Sequence, residues 1–252
     1  MALILKIDKI DICIVTRDEN SLTNYLLPEI LEYIPINNLI IETSKPIGLS
    51  RYRAIQKVKT KYFAFIDDDI KISKNWFKIL TAFIDEDVGC IWGWVNNKGL
   101  GKIFDECIFS NQQYRALNIY ERWNTSNSII KTDLIRDWIP SEKLTCFEDW
   151  EIGRHIMNKG YKAIFVPCDT IHYKDWIGVK NSALWAGREH YQCRRPTNIK
   201  YLKQYIRLIL MPFKAVFNRG IFYSIFVAYR NLFYLIGMIQ SDYKRIKRRL
   251  IK

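Results

Sequence analysis

Short apolar runs alternate with amphipathic segments in the first part of the chain. The runs at 10–16 (IDICIVT), 38–43 (NLIIET) and 61–67 (KYFAFID) are of strand length and almost continuously apolar, which is typical of buried parallel strands. Between them, residues 21–34 and 48–60 space their apolar side chains as helices do. We expect the proline in the first of these helices to interrupt or kink it. The alternation predicts an α/β layer with a mostly parallel sheet.

The pattern is less regular beyond residue 70. It predicts a helix at 75–84, a strand and a glycine-rich turn at 89–106, and a short strand followed by a helix at 126–138. Residues 146–167 are clearer, because a short helical pattern there ends at Gly160 and the strand KAIFV follows it. Pro167 is expected to close that strand.

The basic charge of the chain is concentrated at one end. Residues 197–252 hold twelve lysines and arginines and a single acid, Asp242, whereas the other 196 residues hold 27 basic and 25 acidic side chains. We therefore expect two regions, a nearly neutral body at 1–196 and a basic, aromatic-rich helical tail at 197–252. A nucleic-acid-binding protein with evenly spread basic charge is excluded by this distribution.

The tail contains a run of 19 residues, 221–239, that approaches the length of a membrane span. Arg230 and Asn231 fall in its middle, and a charge at that depth costs about 2.5–3.5 kcal/mol. The sequence therefore favours amphipathic helices lying on an anionic membrane surface and ending in the polybasic KRIKRR. Packing of these helices on the main domain, with a basic face in solvent, stays open.

The six cysteines are widely separated and form no C-x-x-C pair, which excludes zinc-knuckle spacing and favours reduced thiols in a cytosolic setting. The first residues, MALILKIDKIDICIVT, lack a basic segment and a small-residue cleavage site, so we expect no secretion signal. Together with the tail, these features predict a cytoplasmic protein bound peripherally to the inner face of a membrane.

Three consecutive carboxylates, Asp67, Asp68 and Asp69, follow the third apolar run. Ligands of α/β sheets bind beyond the carboxyl ends of the strands, and Mg²⁺ or Mn²⁺ takes carboxylate oxygens there together with a diphosphate. An acidic turn is the alternative. Likewise, Glu148 and Asp149 would cap a helix if they have no chemical role, and a lone histidine such as His172 is more often structural than a ligand.

Taken in order over residues 10–175, these groups resemble the inverting family-2 glycosyltransferases, which have a GT-A fold: a Rossmann-like layer with a mixed, mostly parallel central sheet. ICIVTRDEN is similar to their first strand, and GLSRYRAIQKVKTKYFAFIDDD is similar to the helix and strand before their D-x-D motif. The block FEDWEIGRHIMNKGYKAIFVPCDTIHY is the most specific part, because it fixes the order and spacing of an acidic pair, a helix, Gly-Tyr, a strand, a proline and a closing histidine.

The resemblance implies a role for each matching residue. Binding of the donor nucleotide sugar is implied for Thr16, Glu42, Arg51, Asp67, Asp68 and Asn127. A divalent Mn²⁺ or Mg²⁺ ion is implied at Asp69 and His172. Asp149 is implied as the catalytic base, with Glu148 orienting the acceptor.

The resemblance also implies the reaction: metal-dependent, inverting transfer of one sugar from a nucleoside-diphosphate sugar to a hydroxyl of a glycan, a glycolipid or a polyprenyl-phosphate carrier. The Q-x-x-R-W signature of processive synthases is absent, which favours transfer of a single sugar. The sequence departs from the family pattern at two places: Tyr52 stands where the family has Asn, and the Asp-x-Ser after the second strand is missing. Both departures concern recognition of the nucleotide base. Metal-dependent nucleotidyl transfer and a non-catalytic, membrane-binding GT-A protein are the alternatives.

Overall fold

The computed structural model describes residues 7–17, 22, 26–100, 125–140, 148–194 and 198–250. Contacts divide the described residues into two compact units, one within Met1–Lys98 and Ile108–Tyr173, the other within Gly99–Cys107 and Lys174–Lys252. The second unit begins upstream of Thr197, where the composition changes. A catalytic domain and a basic tail divided at that residue stay a prediction.

The first unit is built on a mixed sheet. Its strands are β1 Ile10–Val15, β2 Ile36–Glu42, β3 Tyr62–Ile66, β4 Ile70–Lys71, β5 Val88–Gly99, β6 Asn127–Lys131 and β7 Lys162–Lys174. Its helices are α1 Leu27–Tyr33, α2 Ile47–Lys57, α3 Trp76–Thr81 and α4 Glu148–Asn158. The strand order is β2-β1-β3-β6-β5-β7-β4, with parallel pairing of β1 to β2 and β3 and antiparallel pairing of β3 to β6, β5 to β6 and β4 to β7.

The three central strands β1, β3 and β6 are almost wholly buried, as their apolar runs indicate. One face of the sheet packs on α1 and α3 through Ile30 and Trp76, and the other packs on α2 and α4 through Ile55 and Ile156. The α/β class expected from the alternation is therefore confirmed, and parallel pairing is confined to the half of the sheet formed by β2, β1 and β3.

Asp11, inside β1, is a fully buried carboxylate that holds the loop before β3. It accepts hydrogen bonds from the backbone N–H groups of Lys59 (2.5 Å) and Thr60 (3.1 Å) and from the side-chain amides of Asn37 and Asn38 (2.8 and 3.1 Å). Burial alone raises the pKa of Asp11, but these four donors outweigh it and hold the pKa below its usual range. The charge is therefore retained inside the fold.

Two local expectations are wrong. Pro167 does not close the strand after α4, because β7 continues to Lys174; the φ angle of proline is compatible with extended backbone, and only one ladder donor is lost. The helix expected after β6 is a single 3-10 turn, Thr132–Leu134. Arg136 just beyond it is held by tertiary bonds, since its guanidinium donates to Val58 O at 2.7 Å and its own carbonyl accepts from Gln56 Nε2 at 2.9 Å.

Other expected segments fall partly outside the described residues, namely the start of the helix at 21–34 and most of the turn at 89–106. The remaining strands and helices lie where the pattern places them, within a few residues. Gly160 ends α4 with a positive φ of 84°, as its position after the helical pattern indicates.

The described residues of the second unit form three long helices, α5 Trp176–Arg194, α6 Asn198–Arg219 and α7 Ile221–Leu250. Helices α5 and α7 approach so closely that a β-carbon at Gly187 would clash with Tyr234 O, and one at Gly237 would clash with Leu184 O. Pro212 lies inside α6 and has no N–H, which leaves the carbonyl of Leu208 without its helical donor. Asn231 of α7, 2% exposed, supplies that donor through Nδ2 at 2.8 Å.

Among the described residues, one helical segment, Ile221–Lys244, is long and apolar enough to cross a membrane. Its most apolar window is 39% buried within the protein.

Candidate active site

The carboxyl ends of β1, β2 and β3 bring the first group of polar residues together. Thr16 follows β1, Glu42 ends β2 and Asp67 follows β3, and parallel strands end at one edge of a sheet. Thr16 N donates to Glu42 O at 3.0 Å, which continues the β1–β2 ladder to the edge. Both residues are buried, at 3% and 7% exposure. Three residues predicted to bind the donor are thus brought to one edge of the sheet, and their binding of a nucleotide stays a prediction.

The acidic loop Asp67–Asp69 joins β3 to the two-residue strand β4. Asp67 N donates to Ser126 O at 2.9 Å, just before β6, and this bond fixes the start of the loop. Thr16 Oγ1 donates to Asp68 Oδ2, so Asp68 faces the end of β1. Exposure rises along the loop, and Asp69 has 58% of its side chain accessible. The three carboxylates therefore have different surroundings.

Asp69 lies beside His172, although 102 residues separate them along the chain. Strand β4 pairs with β7 so that Ile70 is opposite His172, which brings the preceding residue, Asp69, to the imidazole. His172 Nε2 lies 2.7 Å from Asp69 Oδ2, and the histidine side chain is 14% exposed. The two residues predicted as metal ligands are therefore together; their role as ligands stays a prediction.

Arg51 connects the acidic loop to the start of α4. It lies on the buried face of α2 at 4% exposure, with its guanidinium 5.2 Å from the ring centroid of Phe65. One guanidinium nitrogen donates to Asp67 Oδ1 at 3.3 Å, and Nε lies 3.2 Å from Glu148 Oε1 as an ion pair without hydrogen-bond geometry. One cation thus serves two carboxylates from distant parts of the sequence.

The site holds more negative charge than Arg51 neutralises. Burial raises the pKa of Asp67 to about 7; the nearby Arg51 opposes that shift, and the carboxylates of Asp69, Asp68 and Glu148 add to it. Burial also raises the pKa of Asp68, against the hydrogen bond from Thr16. A bound cation would relieve this repulsion, which is the physical reason to expect one here.

The two acidic residues at the start of α4 make different contacts. Glu148, whose side chain is 8% exposed, faces Arg51 and is occupied by that ion pair. Asp149 is half-buried, and its Oδ1 accepts from Trp150 N at 2.7 Å. Both carboxylates lie with Glu151 in the first turn of α4, where the helix dipole stabilises negative charge. Asp149 is the more accessible of the pair.

Two predicted donor-binding residues are engaged within the fold. Asn127 is fully buried, and its amide bonds Trp76, Thr170 and Cys168. Glu42 pairs with Lys57 Nζ and accepts from Ser44 Oγ at 3.1 Å. Each of these two residues thus has bonding partners within the fold, and their contact with a donor stays a prediction.

Sequence reasoning missed the bridging position of Arg51 and the pairing of Lys57 with Glu42. A signal for Arg51 exists, because position 51 is four residues before Ile55 and therefore lies on the apolar face of α2. A charged residue on a buried helix face implies a buried partner. No comparable pattern identifies Glu148 as that partner, since 96 residues separate them along the chain.

A divalent ion fits Asp69 and His172 by the chemistry of these two side chains. Carboxylate and imidazole both bind Mn²⁺, whereas Mg²⁺ prefers the carboxylate and water. Among the described residues, no group of three or more His, Cys, Asp or Glu side chains has metal-binding geometry. Of the described residues, these two would serve as ligands, and a diphosphate could supply others, which is the usual situation for Mg²⁺.

The mixed sheet and its flanking helices have the GT-A fold. The chain belongs to glycosyl transferase family 2, whose family model matches residues 3–137. It is therefore a transferase. No curated protein matches the sequence.

Solved structures with a similar fold are also glycosyltransferases. A mannosyltransferase from Pyrobaculum calidifontis in complex with GDP-Man and Mn²⁺ has a TM-score of 0.57 at 12% identity, over 97% of this chain and 90% of its own. Glucosyl-3-phosphoglycerate synthase from Mycobacterium tuberculosis, in complex with Mn²⁺, UDP and glucosyl-3-phosphoglycerate, has a TM-score of 0.52 at 10% identity, over 76% of this chain and 82% of its own. At such identities the likeness concerns the fold.

Proposed function

We propose that the protein transfers one sugar from a nucleoside-diphosphate sugar to a hydroxyl acceptor, with inversion at the anomeric carbon and with a divalent metal ion. The observation that carries the proposal is the contact of Asp69 with His172 at 2.7 Å, next to two further carboxylates whose pKa values are raised. The Mn²⁺ and Mg²⁺ in the complexes of similar structures agree with it.

Asp69 and His172 would hold Mn²⁺ or Mg²⁺. When bound, the ion neutralises the negative charge that develops on the leaving diphosphate. The side chain of Asp69 is 58% exposed, so a diphosphate could reach it from solvent, and His172 is anchored by the backbone pairing of β7 with β4. Asp67 and Asp68 orient the loop, through Arg51 and Thr16 respectively.

The donor would lie across the carboxyl edge of β1, β2 and β3. Thr16 and Glu42 line that edge, and Arg51 and Lys57 hold the neighbouring carboxylates of Asp67 and Glu42. These ion pairs keep the acidic side chains in fixed positions before the donor arrives, so less conformational entropy is lost on binding. The nucleotide base and the sugar are left open by these contacts.

Asp149 would act as the general base. An acceptor hydroxyl is a weak nucleophile, and a carboxylate within hydrogen-bond reach takes its proton as the oxygen attacks the anomeric carbon. The C–O bond to the diphosphate breaks on the opposite face, which inverts the configuration. Glu148 holds Arg51 and so fixes the first turn of α4, on which Asp149 sits.

The acceptor would be a glycan or a lipid-linked hydroxyl, at the inner face of an anionic membrane. Helix α6 supports this part of the proposal, because it contains no acid and exposes large apolar side chains at i, i+4, i+7, i+11 and i+15. These residues form the apolar stripe: Leu202, Ile206, Ile209, Phe213 and Phe217, with exposures from 46% to 89%. A basic helix with such a stripe fits the boundary between lipid headgroups and acyl chains.

Product analysis with two variants tests the reaction. Purified protein with Mn²⁺ and a panel of nucleoside-diphosphate sugars should release nucleoside diphosphate, whereas nucleotidyl transfer would release pyrophosphate. Asp149→Asn should keep donor binding and lose about 10²–10⁴-fold in turnover. Asp69→Asn should lose the dependence of donor binding on Mn²⁺. Near-normal turnover by Asp149→Asn would reject the base assignment.

A further inference from the structure

A buried amide next to the acidic loop joins three elements of the first unit. Asn127, at the start of β6, is 0% exposed. Its Oδ1 accepts from Trp76 Nε1 of α3, and its Nδ2 donates to Thr170 Oγ1 of β7 at 2.6 Å. Thr170 is also 0% exposed. The bond between Asn127 and Thr170 is unusual because β6 and β7 are not neighbours; β5 lies between them.

Gly93 of β5 makes that crossing possible. The register that pairs Trp92 with Ser128 continues to bring Gly93 opposite Asn127. A β-carbon at position 93 would clash with Cys168 Sγ and lie 2.6 Å from Asn127 Nδ2. Strands two places apart in a sheet are separated by roughly 9–10 Å, so the amide reaches the next strand but one only over a residue without a side chain.

The crossing ends on the face of β7 that carries His172. Side chains at alternate positions of a strand point to the same face, so Thr170 and His172 share one. On the other side, Asn127 is opposite Ile66, the residue before the acidic loop, and Asp67 N bonds the carbonyl of the adjacent Ser126. Asn127 therefore lies between the segment that carries Asp69 and the strand that carries His172.

We propose that Asn127 and Thr170 are positioning residues that hold His172 against Asp69, through an amide that crosses β5 over Gly93. The inference rests on the proposed function where it treats the Asp69–His172 pair as a metal site. Outer partners that orient metal ligands typically change metal affinity by about 10–100-fold when they are removed. A bond that only stabilised the sheet would change the free energy of unfolding and leave metal affinity as it was.

Thr170→Val in the full chain removes the hydroxyl and keeps the shape. Mn²⁺ is titrated with UDP or GDP present, and free Mn²⁺ is followed by electron paramagnetic resonance. We expect about 10-fold weaker Mn²⁺ binding or more. Thr170→Ser, which keeps the hydroxyl, should bind Mn²⁺ as tightly as the unsubstituted protein does.

Thr132→Val is the matched control. Thr132 is also a buried threonine, at 1% exposure, and its hydroxyl donates to Thr60 O at 2.7 Å. It lies just beyond the far end of β6, so its loss should lower thermal stability without changing Mn²⁺ affinity. Equal Mn²⁺ affinities for Thr170→Val and Thr132→Val would overturn the inference.

Hydrogen exchange of the metal-free protein separates this inference from the proposed function. Thr170→Val should speed amide exchange in the pairing of β4 with β7, and Thr132→Val should not. If the unsubstituted protein binds no Mn²⁺, the proposed function fails, and hydrogen exchange alone tests the positioning role of Asn127 and Thr170. Unchanged exchange in β4 and β7 of Thr170→Val would then overturn the inference. Should Thr170→Val not fold, Trp76→Phe removes the other bond of the amide and is expected to act in the same direction.

Discussion

Two buried charges of the first unit are compensated in different ways. Asp11 is surrounded by four neutral donors, which lower its pKa, and it has no direct role at the carboxyl edge. Arg51 has two carboxylate partners and a ring beneath it, at the edge itself. The first charge fixes a loop, whereas the second fixes the acidic side chains of the site.

Replacing Arg51 by methionine should destabilise the protein strongly. The substitution keeps the buried stem and leaves Asp67 and Glu148 without their cation, and breaking a buried pair by removing one partner costs about 3–5 kcal/mol. Urea denaturation in metal-free buffer measures the loss. Arg53→Met is the control, because Arg53 is exposed and donates to Ser44 Oγ. A similar loss for both variants would contradict the bridging role.

Replacing Asp11 by alanine should produce a loss of stability that depends on pH. The pKa of Asp11 is below its ordinary value of 3.8 in the folded protein, so the stabilisation is fully present above pH 3.8 and disappears as the pH falls through the lower, folded pKa. Hydrogen bonds to a charged group contribute about 1.5–3 kcal/mol each, so we expect a loss of at least 2 kcal/mol at pH 7. Chemical denaturation of both proteins from pH 7 to pH 3 tests this; a constant difference would contradict it.

At the scale of elements, local patterns suffice where each element is buried in the ordinary way. The runs of β1, β2 and β3 and the helical spacing of α2 and α4 predict those elements within a few residues. The hydrophobic pattern predicts the wrong element where tertiary contacts determine the local structure. The bonds to Arg136 replace a helix by a turn, and strand pairing carries β7 past Pro167. Pairings between distant segments, such as Arg51 with Glu148, leave no periodic signal.

The candidate site could likewise be predicted from the sequence only in part. The order of the acidic loop, the acidic pair and His172 along the chain predicts which residues have chemistry, and the structure brings Asp69 and His172 together. The burial of Asn127 could not be predicted, because it depends on the space that Gly93 leaves in β5. Neither the order of residues nor the hydrophobic spacing indicates that Gly93 lies next to Asn127.

The α6–α7 pair offers a test of one interhelical bond. Asn231→Leu should leave the Leu208 carbonyl buried without a donor, at a cost of about 1–3 kcal/mol, and should speed amide exchange in α6. Pro212→Ala restores an N–H four residues after Leu208, so the same substitution should cost clearly less in the Pro212→Ala background. Equal costs in both backgrounds would show that Asn231 stabilises the helices in another way.

At the scale of the whole molecule, the second unit differs from the first in its surface. Among the described residues, exposed large apolar side chains are concentrated in α6 and α7, and few belong to the first unit. The run at 221–239 is partly covered by α5 and α6, through the glycine contact and Asn231. The apolar stripe on α6 is thus a candidate for contact with a membrane, and the run in α7 exposes large apolar side chains as well, such as Phe222 at 84%.

Substitution in the stripe should weaken binding to anionic vesicles. Phe213→Ser with Phe217→Ser removes two side chains that are 66% and 89% exposed, so folding should be unaffected. Co-sedimentation with phosphatidylserine-containing vesicles should fall by about 10-fold or more, because each aromatic side chain contributes roughly 1.5–3 kcal/mol of apolar burial. Leu31→Ser with Ile139→Ser, equally exposed on the first unit, should leave vesicle binding unchanged.

A single guanidinium shared by two carboxylates also has a kinetic consequence. Arg51 lies between Asp67, on the donor side, and Glu148, on the helix that carries the proposed base. A divalent cation at the acidic loop would compete with Arg51 for Asp67 and shift Arg51 towards Glu148. By linkage, whatever engages the start of α4 would in turn alter donor affinity by the same factor. The mutual effect of the two substrates on each other's binding would then be set by this one side chain, and direct titrations would show a donor affinity that changes when the acceptor is present.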